Sequence, residues 1–189
     1  MTTAVRNKLI LLFTISLVMV VVFGLAINNK QRVAVIETQD RAFPEFTLQA
    51  LSLSQEGVEI ADGRNTLTKE EITQHPYQLV NVWASWCGVC KSEHSTLMQL
   101  ASNGVPIIGL NYRDTSAAAA TELQSTGNPY QTVISDPNGE LALDLGVIGT
   151  PETYLVDQKG RVIKKVLGGI TAEVWQQEFA GYFMNKATL

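Results

Sequence analysis

Residues 78–84 (QLVNVWA) form a β-rich run that is apolar at nearly every position. A strand of that kind is stable only with both faces covered, which demands helices on either side of a sheet. The rest of the chain supplies them. Residues 87–102 read as a helix, with Cys90, Leu97 and Ala101 on one stripe and Asn103-Gly104 as the stop. Residues 105–110 are strand-like, 116–125 helical, 132–135 a short strand before the turn Asp136-Pro137-Asn138-Gly139, and 141–145 a short helix. Two strands, 153–156 and 161–167, flank a hairpin turn, and 171–184 close the chain as a helix with Val174, Trp175, Phe179 and Phe183 apolar. Upstream, 46–51 alternate like a strand, and 67–73 suit a short helix capped by Thr66 or Thr68. The alternation predicts an α/β sandwich with a mixed sheet.

The N-terminal part follows another logic. From Leu9 to Ile27, nineteen residues pass without a charge. As a helix they would extend about 28 Å, close to the hydrocarbon thickness of a bilayer. A signal peptide cut after Ala26 is the competing reading, but the run exceeds the roughly 7–15 residues of a usual signal core. The expected organisation is a short cytoplasmic tail (1–8), a transmembrane anchor (9–27), a polar linker (28–42) and a globular domain (43–189) held outside. Arg6 and Lys8 before the run and Lys30 and Arg32 after it orient it only weakly.

Composition removes several function classes. Hydrophobic residues make up 46% and charged residues 17%, which excludes a disordered chain. The net charge of −4 offers nothing for nucleic-acid binding. From Phe43 onward nine Lys and Arg face sixteen Asp and Glu, an acidity that names no partner. Two cysteines and two histidines rule out a disulfide-rich scaffold and a large Cys/His metal cluster.

The cysteines carry the chemistry. Cys87 and Cys90 stand two residues apart in Ser85-Trp86-Cys87-Gly88-Val89-Cys90, where the apolar strand gives way to a helix. In a first helical turn two sulfurs at this spacing can bond, and unpaired backbone N–H groups stabilise a thiolate at Cys87. A structural disulfide across so small a loop stabilises little. A zinc site would need a second pair of ligands, with only His75 and His94 to draw on. A redox-active dithiol is the remaining reading, with Cys87 exposed and Cys90 shielded.

Trp-Cys-x-x-Cys after an apolar strand, followed some sixty residues later by Thr150-Pro151, resembles the thioredoxin superfamily. Residues 81–87 (NVWASWC), 90–94 (CKSEH), 109–114 (GLNYRD) and 146–157 (GVIGTPETYLVD) resemble more narrowly the membrane-anchored thiol:disulfide interchange proteins of cytochrome c biogenesis, the DsbE/CcmG type. The resemblance runs from about Pro44 to Trp175 and includes the anchor. It implies a thioredoxin-like fold, attack by Cys87, resolution by Cys90, and a cis-proline at Pro151 beside the dithiol. The Thr150 backbone would then pair with an extended substrate, and Trp86 would shield the disulfide and touch the partner. It implies no cofactor and no metal.

Two positions depart from ordinary thioredoxin. Asn81 stands where a buried Asp is usual and cannot accept a proton. Gly88-Val89 lacks the proline frequent between the cysteines. Another acid must then serve Cys90, and the candidates are Glu152, beside Pro151, and Glu93, one turn beyond Cys90. Of these Glu152 is favoured, with Glu93 read as a solvated helix carboxylate. His94 is read as a packed or capped side chain, and Trp83 and Trp175 as core. The implied partners are apocytochrome c or a maturation thiol protein, a transmembrane electron donor and membrane lipid; the implied place is the periplasmic face of the inner membrane. The alternatives are another exported reductase, for example one serving copper-site assembly, and a copper-binding module built from Cys87, Cys90 and a histidine.

Overall fold

The computed structural model describes residues 3–27, 34–51 and 66–184. The chain divides into two compact units, Met1–Arg32 and Val33–Leu189. In the first, the uncharged run lies within one helix, α1 (Thr3–Ile27). Its side chains from residue 10 to 23 are exposed. Among the described residues, no helix is long and apolar enough to cross a membrane. Residues 28–33 of the expected linker lie outside the described residues.

In the second unit, six strands form one mixed sheet. They are β1 (Ala34–Ala42), β4 (Tyr77–Trp83), β5 (Ile107–Tyr112), β6 (Thr132–Asp136), β7 (Glu152–Asp157) and β8 (Arg161–Leu167), in the order β1-β8-β7-β4-β5-β6. β4 is central, parallel to β5 on one side and antiparallel to β7 on the other. Asn81 thereby faces Gly109 and Thr153, and Val82 faces Glu152. The helices are α3 (Gly88–Ser102), α4 (Ser116–Thr126) and α5 (Glu140–Leu145), with α2 (Lys69–Ile72) ahead of β4.

The period of two along each strand separates two half-cores. Leu79, Trp83, Leu155 and Val166 point to one side and pack with Cys87, Cys90, Leu97 and Phe179. Val80, Val82, Tyr154 and Val156 point to the other, against Phe43, Ile72, Leu141 and Leu145. Each fully buried Leu, Ile or Phe contributes about 1.5–3 kcal/mol. The mixed α/β sandwich expected from the alternation is the architecture observed.

Four local expectations need correction. Residues 34–42, assigned to the linker, are the edge strand β1, paired antiparallel with β8. An edge strand is solvated along its outer side and carries charge there, here Glu37 and Arg41, so its composition looks like a linker's. The strand expected over 46–51 shrinks to β2 (Thr47–Gln49), which pairs with β3 (Thr66–Thr68) in a separate two-stranded sheet. That pairing takes the start of the expected 67–73 helix; α2 begins at Lys69, where the Thr68 N–H donates to Glu71 Oε2 at 2.7 Å. The C-terminal helix, finally, is not uniform. Thr171 caps α6 (Ala172–Val174), a π-helical turn spans Trp175–Phe179, and α7 (Ala180–Met184) follows.

Candidate functional site

Cys87 is the N-cap of α3. Its Sγ accepts the Cys90 N–H at 3.1 Å, so the group that would stabilise a thiolate is already aimed at it. The two sulfurs are bonded, with Cα atoms 5.3 Å apart. Cys87 is only 5% exposed and Cys90 7%, which corrects the expectation of an exposed Cys87. An N-cap side chain that folds back over its own first turn, to reach both the Cys90 N–H and the Cys90 sulfur, withdraws from solvent.

Behind the disulfide lies a closed polar network. Asn81 shares its face of β4 with Trp83 and donates through Nδ2 to Glu93 Oε1 and Thr153 Oγ1, both at 3.0 Å. Its Oδ1 accepts the Tyr130 hydroxyl at 2.9 Å, and Glu93 Oε2 accepts the Ile170 N–H at 2.7 Å. Glu93 is 2% exposed, not a solvated carboxylate. Burial pushes its pKa up to about 7, against the opposing pull of the Ile170 N–H and Asn81. Residues three apart on a helix lie roughly 5–6 Å apart at Cβ, which puts this near-neutral acid beside Cys90.

Glu152, the acid favoured from the sequence, does something else. Its neighbour Thr153 points to Asn81, so Glu152 projects from the opposite face of β7. There Oε1 accepts the N–H groups of Ile148 and Gly149 at 2.7 and 3.0 Å. Oε2 takes the Tyr154 hydroxyl at 2.7 Å and pairs with Lys165 at 2.9 Å. The sheet separates it from the dithiol, and its work is to shape the loop before Pro151. The Thr150–Pro151 bond is cis. Because Glu152 pairs with Val82, that bond lies at the end of β4 that leads into the cysteines.

Trp86 is 59% exposed, and its Nε1 donates to the Arg113 carbonyl at 3.1 Å. Arg113 holds a φ of +46°, and the residue after it anchors the loop. Asp114 accepts from the Ser85 N–H at 2.6 Å, the Ser85 hydroxyl at 3.0 Å, Asn111 Nδ2 at 3.1 Å and the Thr115 N–H at 2.8 Å. Asp114→Asn turns one acceptor into a donor against these donors. It is expected to cost about 2 kcal/mol in urea unfolding and to shift Trp86 fluorescence; an unchanged midpoint and spectrum would remove Asp114 from the support of the site. His94 Nε2 lies 3.2 Å from the Thr126 carbonyl, a capping contact with the end of α4. His94 also lines, with Lys91, Glu122 and Tyr130, a cavity of about 10 Å³ that reaches Cys90, room for about one water. Lys91 is engaged with Glu122 at 3.0 Å. Among the described residues, no group of three or more His, Cys, Asp or Glu side chains could hold a metal ion.

Tyr130 and Lys165 were not singled out from the sequence. Each acts across the fold, Tyr130 on a residue 49 positions away, and no local pattern marks such a contact.

The chemistry on offer is transfer of two electrons between a dithiol and a disulfide, with a buried acid to handle one proton. Comparison with known proteins agrees. Residues 38–180 match the Redoxin family. The thiol:disulfide interchange protein DsbE of Pseudomonas aeruginosa is 41% identical over 145 residues, 77% of this chain and 75% of that one. A probable thiol:disulfide interchange protein DsbE-2 of Pasteurella multocida is 52% identical over 113 residues, 60% of this chain and 59% of its own length. Among solved structures, a secreted thiol-disulfide isomerase from Corynebacterium glutamicum superposes with a TM-score of 0.59 at 22% identity, covering 79% of this chain and 90% of that one. At that identity the likeness shows the thioredoxin-like fold alone. Fold, disulfide and relatives together place the chain in the Redoxin family, among its DsbE-type thiol:disulfide oxidoreductases.

Proposed function

We propose that the chain is a membrane-anchored reductase whose domain faces the periplasm and reduces the disulfide between the haem-binding cysteines of apocytochrome c, or of a thiol protein that serves it. The observation that carries the reductive cycle is the Cys87–Cys90 disulfide with Glu93 buried behind it. In the reduced chain the Cys87 thiolate attacks the substrate disulfide, and one substrate sulfur leaves and takes a proton. Cys90 then passes its proton to the Glu93 carboxylate and attacks Cys87 Sγ. The second substrate thiol is released, two electrons have moved to the substrate, and the disulfide seen here has formed. A dithiol donor within the membrane restores the reduced state. The substrate class is supported by the resemblance of residues 81–94 and 146–157, and the anchor by the nineteen uncharged residues from Leu9 to Ile27 in the sequence.

Cys90→Ala removes the resolving thiol, so mixed disulfides accumulate on Cys87. Expressed at native level, this variant is expected to capture an apocytochrome c or a maturation thiol protein, identified by mass spectrometry from alkaline-washed membranes. Capture of copper-site assembly proteins instead would overturn the substrate class. Recovery of the variant in the soluble fraction would overturn the anchor.

A further inference from the structure

We infer that Tyr130 is a positioning residue for the proton step: by donating its hydroxyl to Asn81 Oδ1 it fixes the Asn81 amide with Nδ2 toward Glu93, and so readies that pocket for a carboxylate rather than a carboxylic acid. The inference rests on the reading that Glu93 takes the proton of Cys90.

The argument is one of donors and acceptors. An amide offers two protons at nitrogen and none at oxygen. Both Asn81 protons are used, on Glu93 Oε1 and Thr153 Oγ1, and Oδ1 accepts from Tyr130. Glu93 Oε2 faces another donor, the Ile170 N–H. Among the described residues, the groups hydrogen-bonded to Glu93 are both N–H donors, so neither can accept the proton of a protonated Glu93. That acid gains an acceptor among them only if the Asn81 amide turns over, which presents Nδ2 to the Tyr130 oxygen and takes away the acceptor of the phenol proton. Thr153 does not oppose the turn, since a hydroxyl can donate as readily as accept. Tyr130 is the group that sets the orientation.

Its ring cannot swing away. It stacks on Trp83 with centroids 5.5 Å apart, and its backbone N–H is tied to Asn128 Oδ1 at 2.9 Å. The ring sits over Gly109, where even a methyl group would come within 3.0 Å of it. Burial and the charge of Glu93 hold the phenol protonated well above its ordinary range, so it remains a donor while Glu93 titrates. The groups around Glu93 are Asn81 on β4, whose amide also holds Tyr130 from the α4–β6 loop and Thr153 on β7, Cys90 one turn back on its own helix, and the backbone of Gly169 and Ile170 after β8.

The test follows the Glu93 carboxyl directly, by ¹³C NMR of the oxidised full-length chain in detergent micelles, where no thiol titrates. Tyr130→Phe frees the amide to turn toward a protonated Glu93. Its titration midpoint is expected to rise by about one pH unit, a tenfold change. An unchanged or lowered midpoint in the folded variant overturns the inference. Should the variant not fold, the native chain decides: the Asn81 side-chain amide resonances are expected to move with the Glu93 midpoint and to stop moving in Glu93→Gln, and amide resonances that ignore that midpoint overturn the inference. Failure of the underlying reading looks different, with the Tyr130 effect on the carboxyl intact while Glu93→Gln leaves disulfide exchange at full speed.

Discussion

Glu93→Gln is expected to slow release of the mixed disulfide about 100-fold near pH 7, while the first attack by Cys87 keeps its rate. Gln preserves the shape and still offers an oxygen to Asn81 or Ile170, but it has no basicity. Cys90 must lose its proton in an apolar setting, where the thiolate is disfavoured. The polar side chain on β4 that faces α3 is Asn81, which takes no proton. Stopped-flow measurement of the two phases checks this, and an unchanged second phase would refute the role. The same variant has an equilibrium signature. The pKa of Glu93 is raised from 4.5 to about 7 in the folded chain, so between these values the folded state binds more protons than the unfolded one. The resulting stability is fully present below the unfolded value and is lost as the pH rises through the folded one, a change on the order of 3 kcal/mol. Urea unfolding of the oxidised chain at pH 5 and pH 8 is expected to show this loss, and Glu93→Gln to abolish it.

Glu152→Gln is expected to cost about 3 kcal/mol of stability and to leave the pH profile of the resolving step in place. The carboxylate and Lys165 are both buried, and removal of one member strands the other's charge away from water. Lys165 retains the Gly146 carbonyl at 2.7 Å, which satisfies a proton without balancing the charge. The loop at Ile148 and Gly149 also loses a charged acceptor. Adding Lys165→Met should recover much of the loss, because the double variant leaves no uncompensated ion. A cost below 1 kcal/mol for Glu152→Gln, or no recovery in the pair, would show that the contact is incidental. A slowed resolving phase in this variant would return the proton role to Glu152.

The helix start at Cys87 and the central strand were legible because both are written locally, one in a two-residue spacing and the other in unbroken apolarity. Alternation of strand and helix gave the layers. The face on which each acid lies is not written locally, though the strand period constrains it: Glu152 and Thr153 are adjacent on β7 and must face opposite sides, and Asn81 shares its side of β4 with Trp83. Proximity to Pro151 in the sequence says nothing of that parity. A carboxylate on a helix is ordinarily solvated; the burial of Glu93 depends on Gly169 and Ile170, which arrive from the far end of the domain. β1 was hidden by its charged, half-wet position at the sheet edge.

The division of the interior by the sheet has a further consequence. The polar network of Asn81, Glu93 and Tyr130 lies on one side, and the group formed by Glu152, Tyr154 and Lys165 before Pro151 lies on the other. Among the described residues, the sheet backbone stands between them. Substitutions on one face of the sheet can therefore reshape the loop before Pro151 while leaving the hydrogen bonds of the network on the other face in place.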